Sequence, residues 1–366
     1  MNSLYLTFLY PFVLALFVSY AVTFLVVKFG DKLKIIDDPK RHKLAKVTHE
    51  QAVPRGGGIP VFAALAVGFL LFLPWNNKIM GITAALTTLM ITGFLDDRFE
   101  EQISPYLRLM INIIAALCVI GVGIGIAYIT NPLGGILRLD YPQLCFVFLG
   151  NRHCLWLLSD FFALIWLVWM QNIVGWSSGV DGQLPGFVIV AAITIAILGL
   201  RTGSDGSQNV VIILAGLTAG AFAGFWPWNW FPQRIMPGYG GKSMAGFLLG
   251  LLAIFSVARV GTMVLVLGIP FIDAVTVIIK RISEGRSPVW GGREHLHHLL
   301  LDRGWSKSRI AVFYTAVSLI LAFVAMQLKA SLKYFTMASV ILIIGGFIWW
   351  LQGWLKFLKQ QGRDSG

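Results

Sequence analysis

Residues 4–27 read LYLTFLYPFVLALFVSYAVTFLVV, an unbroken apolar run without a single charge. About 20 apolar residues in a helix cross a hydrocarbon core of about 30 Å, so this stretch is long enough to span a membrane. No basic residue precedes it, and it exceeds the apolar core of a signal peptide. Ten further runs follow, near 59–75, 79–95, 106–128, 157–174, 184–200, 207–225, 242–257, 259–280, 309–329 and 334–352. The pair at 242–280 is the least regular, because Ser256, Arg259 and Gly261 interrupt it. The pattern predicts an all-α, polytopic integral membrane bundle of about eleven transmembrane helices. Residues 1–356 read as a single transmembrane domain, and 357–366 as a short cytoplasmic tail.

Composition agrees. Of 366 residues, 57% are apolar and 13% charged, against about 25% charged in soluble domains. A soluble fold of this size could not hide so much apolar surface. A disordered chain, a coiled coil and a disulfide scaffold are excluded on the same grounds. The net charge of +12 would suggest nucleic acid in a soluble protein. Here Lys and Arg show a nearly threefold excess on alternate loops. The positive-inside rule then puts the N-terminus outside and the C-terminus in the cytoplasm, in the cell (inner) membrane. An odd number of spans requires opposite ends, so count and charge agree. No nucleic-acid partner is expected.

The outer loop 129–156 contains GGILRLDY, whose alternation after a glycine pair suggests a short hairpin. Cys145 and Cys154 share that loop and could pair in an oxidising compartment. Cys118 lies in an apolar run and reads as packing. No internal repeat of the transporter kind is visible.

Nearly every unusual polar cluster falls on the inner loops. Loop 30–58 joins a basic run (Lys40, Arg41, His42, Lys43, Lys46) to Pro54-Arg55-Gly56-Gly57-Gly58 at a helix start. Glycines there let backbone N–H groups approach an anion. A solvated basic loop ending in a flexible turn is the plainer alternative. Asp96 and Asp97 end an apolar helix, flanked by Arg98 and Arg108. Adjacent carboxylates there oppose the helix dipole and are costly to desolvate unless they meet water, a metal or a proton relay. They suit a hard cation such as Mg²⁺. Loop 172–183, NIVGWSSGVDGQ, offers Asn172 and Asp181, although Asp-Gly alone is more often a turn. Loop 281–309 offers Arg281, Arg286 and Arg293 as phosphate clamps, with His295, His297 and His298. In a helix His295 and His298 share a face. The spacing lacks the further ligands of a zinc site. Asp273 lies within the preceding apolar run, a functional candidate by default. Carboxylates, arginines and imidazoles on one face suit phosphoryl transfer, and a membrane location implies a lipid substrate.

The order DDP…PRGGG, LDD, Asn…DG and R-x-x-x-G-R-S-P…H-L-H-H resembles the polyprenyl-phosphate N-acetylhexosamine-1-phosphate transferases over about residues 1–330. The resemblance implies transfer of a sugar-1-phosphate from a UDP-sugar to a polyprenyl phosphate such as undecaprenyl phosphate. The products would be polyprenyl-diphospho-sugar, for cell-wall or surface glycan synthesis, and UMP. It implies Mg²⁺, or Mn²⁺ in its place, and a homodimer. Carried over by position, Asp96, Asp97 and Asp181 are the expected metal ligands and, with His297, the catalytic set. Arg55, Arg108, Asn172, Lys242, Arg286, Arg293, His295 and His298 are the expected substrate-binding residues. Three departures stand out. Ser178 replaces the first acid of D-G-x-D-G, Tyr239 stands where an Asp normally binds the metal, and Gly292 replaces the Asp of D-R-x-H. No acidic residue lies between Gly206 and Phe271 to compensate. A remodelled active enzyme, with Tyr239 and Lys242 supplying contacts, is the first expectation. A non-catalytic protein that binds polyprenyl phosphate or nucleotide-sugar is the second, and an ion-coupled transporter a distant third.

Overall fold

The computed structural model describes residues 4–40, 48, 51–99, 103–131, 135–148, 151–201, 206–256, 260–288, 292–328 and 330–364. Arg41, His42, Lys43 and Lys46 of the basic run, and Arg259, lie outside the described residues. A π-helical turn, Tyr5–Leu9, leads into α1 (Tyr10–Leu33), followed by α2 (Gly58–Phe72), α3 (Asn77–Arg98) and α4 (Pro105–Ile120). After an excursion into strands come α5 (Leu157–Trp176), α6 (Gln183–Arg201), α7 (Gly206–Asn229) and α8 (Gly238–Phe255). The chain ends with α9 (Val260–Val266), α10 (Gly268–Ser283), α11 (Leu296–Asp302), α12 (Lys307–Gln327) and α13 (Ala330–Asp364).

Among the described residues eight helices are long and apolar enough to cross a membrane. A ninth candidate is α9 with α10, which bend by 83° at their junction, where the sequence pattern was least regular. The remaining two expected spans correspond to α2 and α4, apolar but only 15 and 16 residues long. This is a multi-pass helical membrane protein with eight or nine full-length candidate spans, and eleven only if the two shorter helices are counted. No helix end marks the expected tail, because α13 continues to Asp364.

Packing follows side-chain size. Most of α8 is buried, with α2, α3, α5, α6, α7 and α9 around it. Its glycines permit this: a Cβ on Gly93 of α3 would stand 2.3 Å from Gly240 Cα, and one on Gly246 would stand 2.3 Å from Met170 O. Small residues let helix backbones approach where lipid supplies no hydrophobic drive for association. By contrast α1 and α13 leave large apolar side chains exposed, such as Phe17, Phe24, Leu342 and Trp349, as lipid-facing helices do.

Among the described residues three small antiparallel pairs interrupt the helices. Strands β1 (Ile36–Asp37) and β2 (Val53–Pro54) clip together the ends of the first loop. The expected hairpin is present as β3 (Tyr128–Thr130) paired with β4 (Ile136–Arg138). Next to it β5 (Gln143–Phe148) pairs with β6 (Asn151–Trp156) so that Cys145 faces Cys154, and the two form a disulfide. Both hairpins lie between the C-terminal end of α4 and the N-terminal end of α5, opposite the end that collects the acids and imidazoles.

Candidate active site

Alternating helix direction brings the ends of α1, α3, α5, α7 and α10 together with the starts of α2, α4, α6, α8 and α12. The paired carboxylates at the end of α3 are the centre of this cluster. Asp96 and Asp97 are 1% and 7% exposed, although acids oppose the dipole at a helix C-terminus. Each is held by a cation from a neighbouring helix start. Arg108 Nε, in the first turn of α4, donates to Asp96 Oδ1 at 2.5 Å. Arg55 Nε, ahead of α2, lies 3.5 Å from Asp97 Oδ1, and its NH1 reaches Asp37 Oδ2 at 3.3 Å. Removing either partner would strand a buried charge.

Tyr239 ties this pair to α8. Its backbone N–H donates to Asp97 Oδ1 at 3.0 Å. Its hydroxyl reaches Asn112 Oδ1 at 2.7 Å and the Arg108 carbonyl at 2.9 Å, and the Arg108 guanidinium lies 5.8 Å from its ring centre. Gly238 makes the approach feasible: its φ is +64°, and a Cβ there would stand 2.0 Å from Arg55 O and 2.1 Å from Asp97 Oδ2. Lys242, one turn into α8, is close enough for its charge to act on both Asp97 and His297.

The glycine stretch before α2 serves a different purpose from the anion cradle expected. Gly57 N donates to Arg55 O and to Met236 O, and a Cβ on Gly57 would stand 2.6 Å from Met236 O. Met236 N in turn donates to Pro54 O. These glycines let residues 54–58 lie against 236–241, and that contact places Arg55 beside Asp97.

Asp181 has its own partners: Lys307 Nζ at 3.7 Å and the Gln233 amide at 3.2 Å. Its loop still joins the cluster, since Thr48 Oγ1 donates to Gly179 O at 2.9 Å. Gly179 faces His297 so closely that a Cβ would fall 1.9 Å from Nε2. Asn172 donates its amide to Val168 O, one turn back on its own helix.

The histidines differ from the expected arrangement. His295 is the residue before α11, outside the helix, so it does not share a helical face with His298. Its ring instead lies parallel to that of His297, 5.8 Å away, and His297 lies 4.2 Å from His298. Asp273, fully buried, accepts from His295 Nδ1 at 2.9 Å and from Leu296 N at 2.7 Å, orienting one imidazole and capping α11. Nδ1 of His297 and of His298 is buried without a hydrogen-bond partner among the described residues, a pattern that points to a ligand. Burial, with neighbouring His298, His295, Lys242 and Arg293, holds His297 well below the usual imidazole range. Burial, then Arg293 and His295, brings His298 down to about 4. Both rings are therefore neutral at pH 7.

The arginines of the same loop are occupied by acids of that loop, contrary to the phosphate-clamp expectation. Buried Arg281 donates to Glu294 at 2.8 Å, Arg286 binds Glu284 and Glu294, and Arg293 binds Asp302 at 2.6 Å. Burial alone would raise Glu294, but Arg281 and Arg286 outweigh it and hold it at about 2.

At the three departures, Ser178 Oγ donates to Gly175 O at 2.5 Å, the Tyr239 hydroxyl turns to α4, and Gly292 abuts the Arg281 guanidinium. The expected metal set of Asp96, Asp97 and Asp181 does not assemble. Among the described residues no three His, Cys, Asp or Glu side chains converge as ligands of one ion. Each carboxylate is engaged by Arg or Lys, and Asp181 by partners different from those of the pair. Sequence reasoning missed Asn112 and Lys307, whose importance depends on partners far away in the chain, and read Asp37 only as part of the DDP motif, without its partner Arg55.

Residues 79–257 match the family described as glycosyl transferase family 4. The chain is 22% identical over 340 residues to the probable undecaprenyl-phosphate N-acetylglucosaminyl 1-phosphate transferase of Bacillus subtilis, covering 91% of this chain and 88% of that protein. It is 25% identical over 328 residues to the decaprenyl-phosphate N-acetylglucosaminephosphotransferase of Mycolicibacterium smegmatis, covering 81% and 76%. It is also 26% identical over 341 residues to the phospho-N-acetylmuramoyl-pentapeptide-transferase of Borreliella burgdorferi, covering 87% and 93%. The family match takes in nearly all of α3 and the helices through α8, including Asp96, Asp97, Asp181 and Tyr239.

Proposed function

We propose that this protein transfers a sugar-1-phosphate, an N-acetylhexosamine-1-phosphate, from a UDP-sugar to polyprenyl phosphate. The observation that carries the reading is the pair Asp96–Asp97, set with Arg55, Arg108 and Lys242 at one end of the bundle beside neutral, buried imidazoles. In this reading an oxygen of the lipid phosphate attacks the phosphorus that bears the sugar. The bond from that phosphorus to the UMP oxygen breaks, and UMP leaves with the electron pair. The products are polyprenyl-diphospho-sugar and UMP. Catalysis of this kind is mostly positioning and charge stabilisation.

Lys242, whose charge acts on both Asp97 and His297, would meet the diphosphate. His297 and His298, neutral and with an unpartnered ring nitrogen each, would hydrogen-bond the donor. Arg55 and Arg108 hold Asp97 and Asp96 in place, where they would face the lipid phosphate. Asp181, held by Lys307, closes the donor side.

The charge bias supports a cytoplasmic active face, with the N-terminus outside, in the cell membrane. The Cys145–Cys154 disulfide at the opposite end agrees with that orientation, since disulfides persist in oxidising compartments. The test is UMP release from UDP-N-acetylglucosamine and other UDP-sugars by the purified chain in lipid nanodiscs with undecaprenyl phosphate. Folded protein that gives no UMP with any donor overturns the reading. Donor binding without turnover would establish the non-catalytic alternative.

A further inference from the structure

We propose that this site neutralises its paired carboxylates with its own guanidinium groups, Arg55 and Arg108, in place of a resident divalent cation, and that Tyr239 locks this arrangement. The inference rests on the transferase reading for its purpose, while its geometry stands independently. Two adjacent buried carboxylates need counter-charge. Here Arg108 supplies it to Asp96 at 2.5 Å and Arg55 to Asp97 at 3.5 Å. With Asp37 on Arg55 and Lys242 acting on Asp97, three acids face three basic side chains among the described residues. A dication entering here would be repelled by these basic groups and would have to displace the Arg108 guanidinium from Asp96 at 2.5 Å.

Tyr239 removes the remaining route to a metal site. Its hydroxyl is directed to Asn112 Oδ1 and the Arg108 carbonyl, and its ring lies beside the Arg108 guanidinium. The same residue's amide binds Asp97. One residue thereby touches both ion pairs: Asp97 through its backbone, and the residue that neutralises Asp96 through its side chain. A phenol pointing at α4 gives no third carboxylate, and among the described residues no other acid or imidazole completes a set of three. Tyr239 is a positioning residue.

The decisive experiment titrates Mn²⁺ into the purified full chain in nanodiscs and reads free Mn²⁺ by electron paramagnetic resonance. The expected result is no stoichiometric uptake. One saturable Mn²⁺ per chain that disappears in Asp97→Asn overturns the proposal. A second arm follows thermal stabilisation by UDP-N-acetylglucosamine, expected to be unchanged by EDTA. Stabilisation abolished by EDTA and restored by Mg²⁺ also overturns it. In the double variant Tyr239→Asp/Arg108→Gln we expect one Mn²⁺ per chain to be gained. A folded double variant that gains none overturns the role given to Tyr239. Absence of any donor stabilisation in the wild type, with or without metal, would count against the transferase reading alone, because the Mn²⁺ titration requires no nucleotide.

Discussion

The Tyr239 amide donates to Asp97 Oδ1 at 3.0 Å, joining residues 142 positions apart in the chain. That bond fixes the start of α8 against the end of α3. Gly93 allows it, because a Cβ there would stand 2.3 Å from Gly240 Cα and separate the two backbones. The site depends on this crossing for its charge pairing.

Arg108→Met should leave Asp96 buried without its cation. Breaking a buried pair by removing one partner costs about 3–5 kcal/mol, so the variant should melt at a lower temperature. The double variant Arg108→Met/Asp96→Asn should recover part of that loss. Thermal unfolding of the four proteins in nanodiscs forms the double-mutant cycle that measures the coupling.

Gly238→Ala should abolish UMP release. Its backbone sits at φ +64°, and the added Cβ would fall 2.0 Å from Arg55 O and 2.1 Å from Asp97 Oδ2. Strain at such a position costs on the order of 1–3 kcal/mol, and the collision pushes Arg55 and Asp97 apart. Turnover unchanged from wild type would show that this contact does not set the site.

Asp273→Ala should destabilise α11 and release His295. Two donors, His295 Nδ1 and Leu296 N, lose their acceptor, at about 1–3 kcal/mol for each buried group left unsatisfied. Faster amide hydrogen exchange across residues 295–302 is the expected signature. Asp273→Asn should rescue part of it, because the amide oxygen still accepts one of the two bonds.

Acid should destabilise the folded chain through its buried imidazoles. His298 falls to about 4 from an ordinary 6.5, and burial holds His297 well below the same ordinary value. Between those values the unfolded chain binds more protons than the folded one, so stability rises with pH across the window. It is complete above about 6.5 and lost as pH falls toward 4. Melting temperature measured from pH 7.5 to 4.5 should drop, and His298→Gln should flatten part of the drop. A curve of unchanged steepness would mean that His298 does not titrate in this way.

The hairpin disulfide reports on orientation. In intact cells a membrane-impermeant maleimide should label Cys145 and Cys154 only after reduction, since the two are bonded and exposed at the end opposite Asp96. Labelling that requires permeabilised cells would place the hairpins inside and reverse the proposed topology.

Much of the architecture is local and could be read directly. A run such as 4–27 specifies a spanning helix wherever it lies, because its backbone must satisfy itself within the bilayer. The GGILRLDY alternation likewise specified β4, and the LDD and HLHH segments marked the carboxylate pair and the imidazole cluster. Contacts between distant segments could not be read in this way. His295 became a cap outside its helix because Asp273 binds it there. Arg286 and Arg293 read as phosphate clamps until their own loop folded back to offer Glu284, Glu294 and Asp302. The glycines before α2 read as an anion cradle but serve a backbone crossing.

The sequence by itself determined that the chain lives in a membrane, where its helices run, and that its acids, bases and imidazoles share one face. Hydropathy and charge are sums over neighbouring residues, so no tertiary information was needed. Only the tertiary structure decided which cation neutralises which carboxylate, and where the Tyr239 hydroxyl points. Coulomb and hydrogen-bond energies depend on separations of a few ångströms between helices far apart in the chain, and those separations exist only once α3, α4 and α8 have packed.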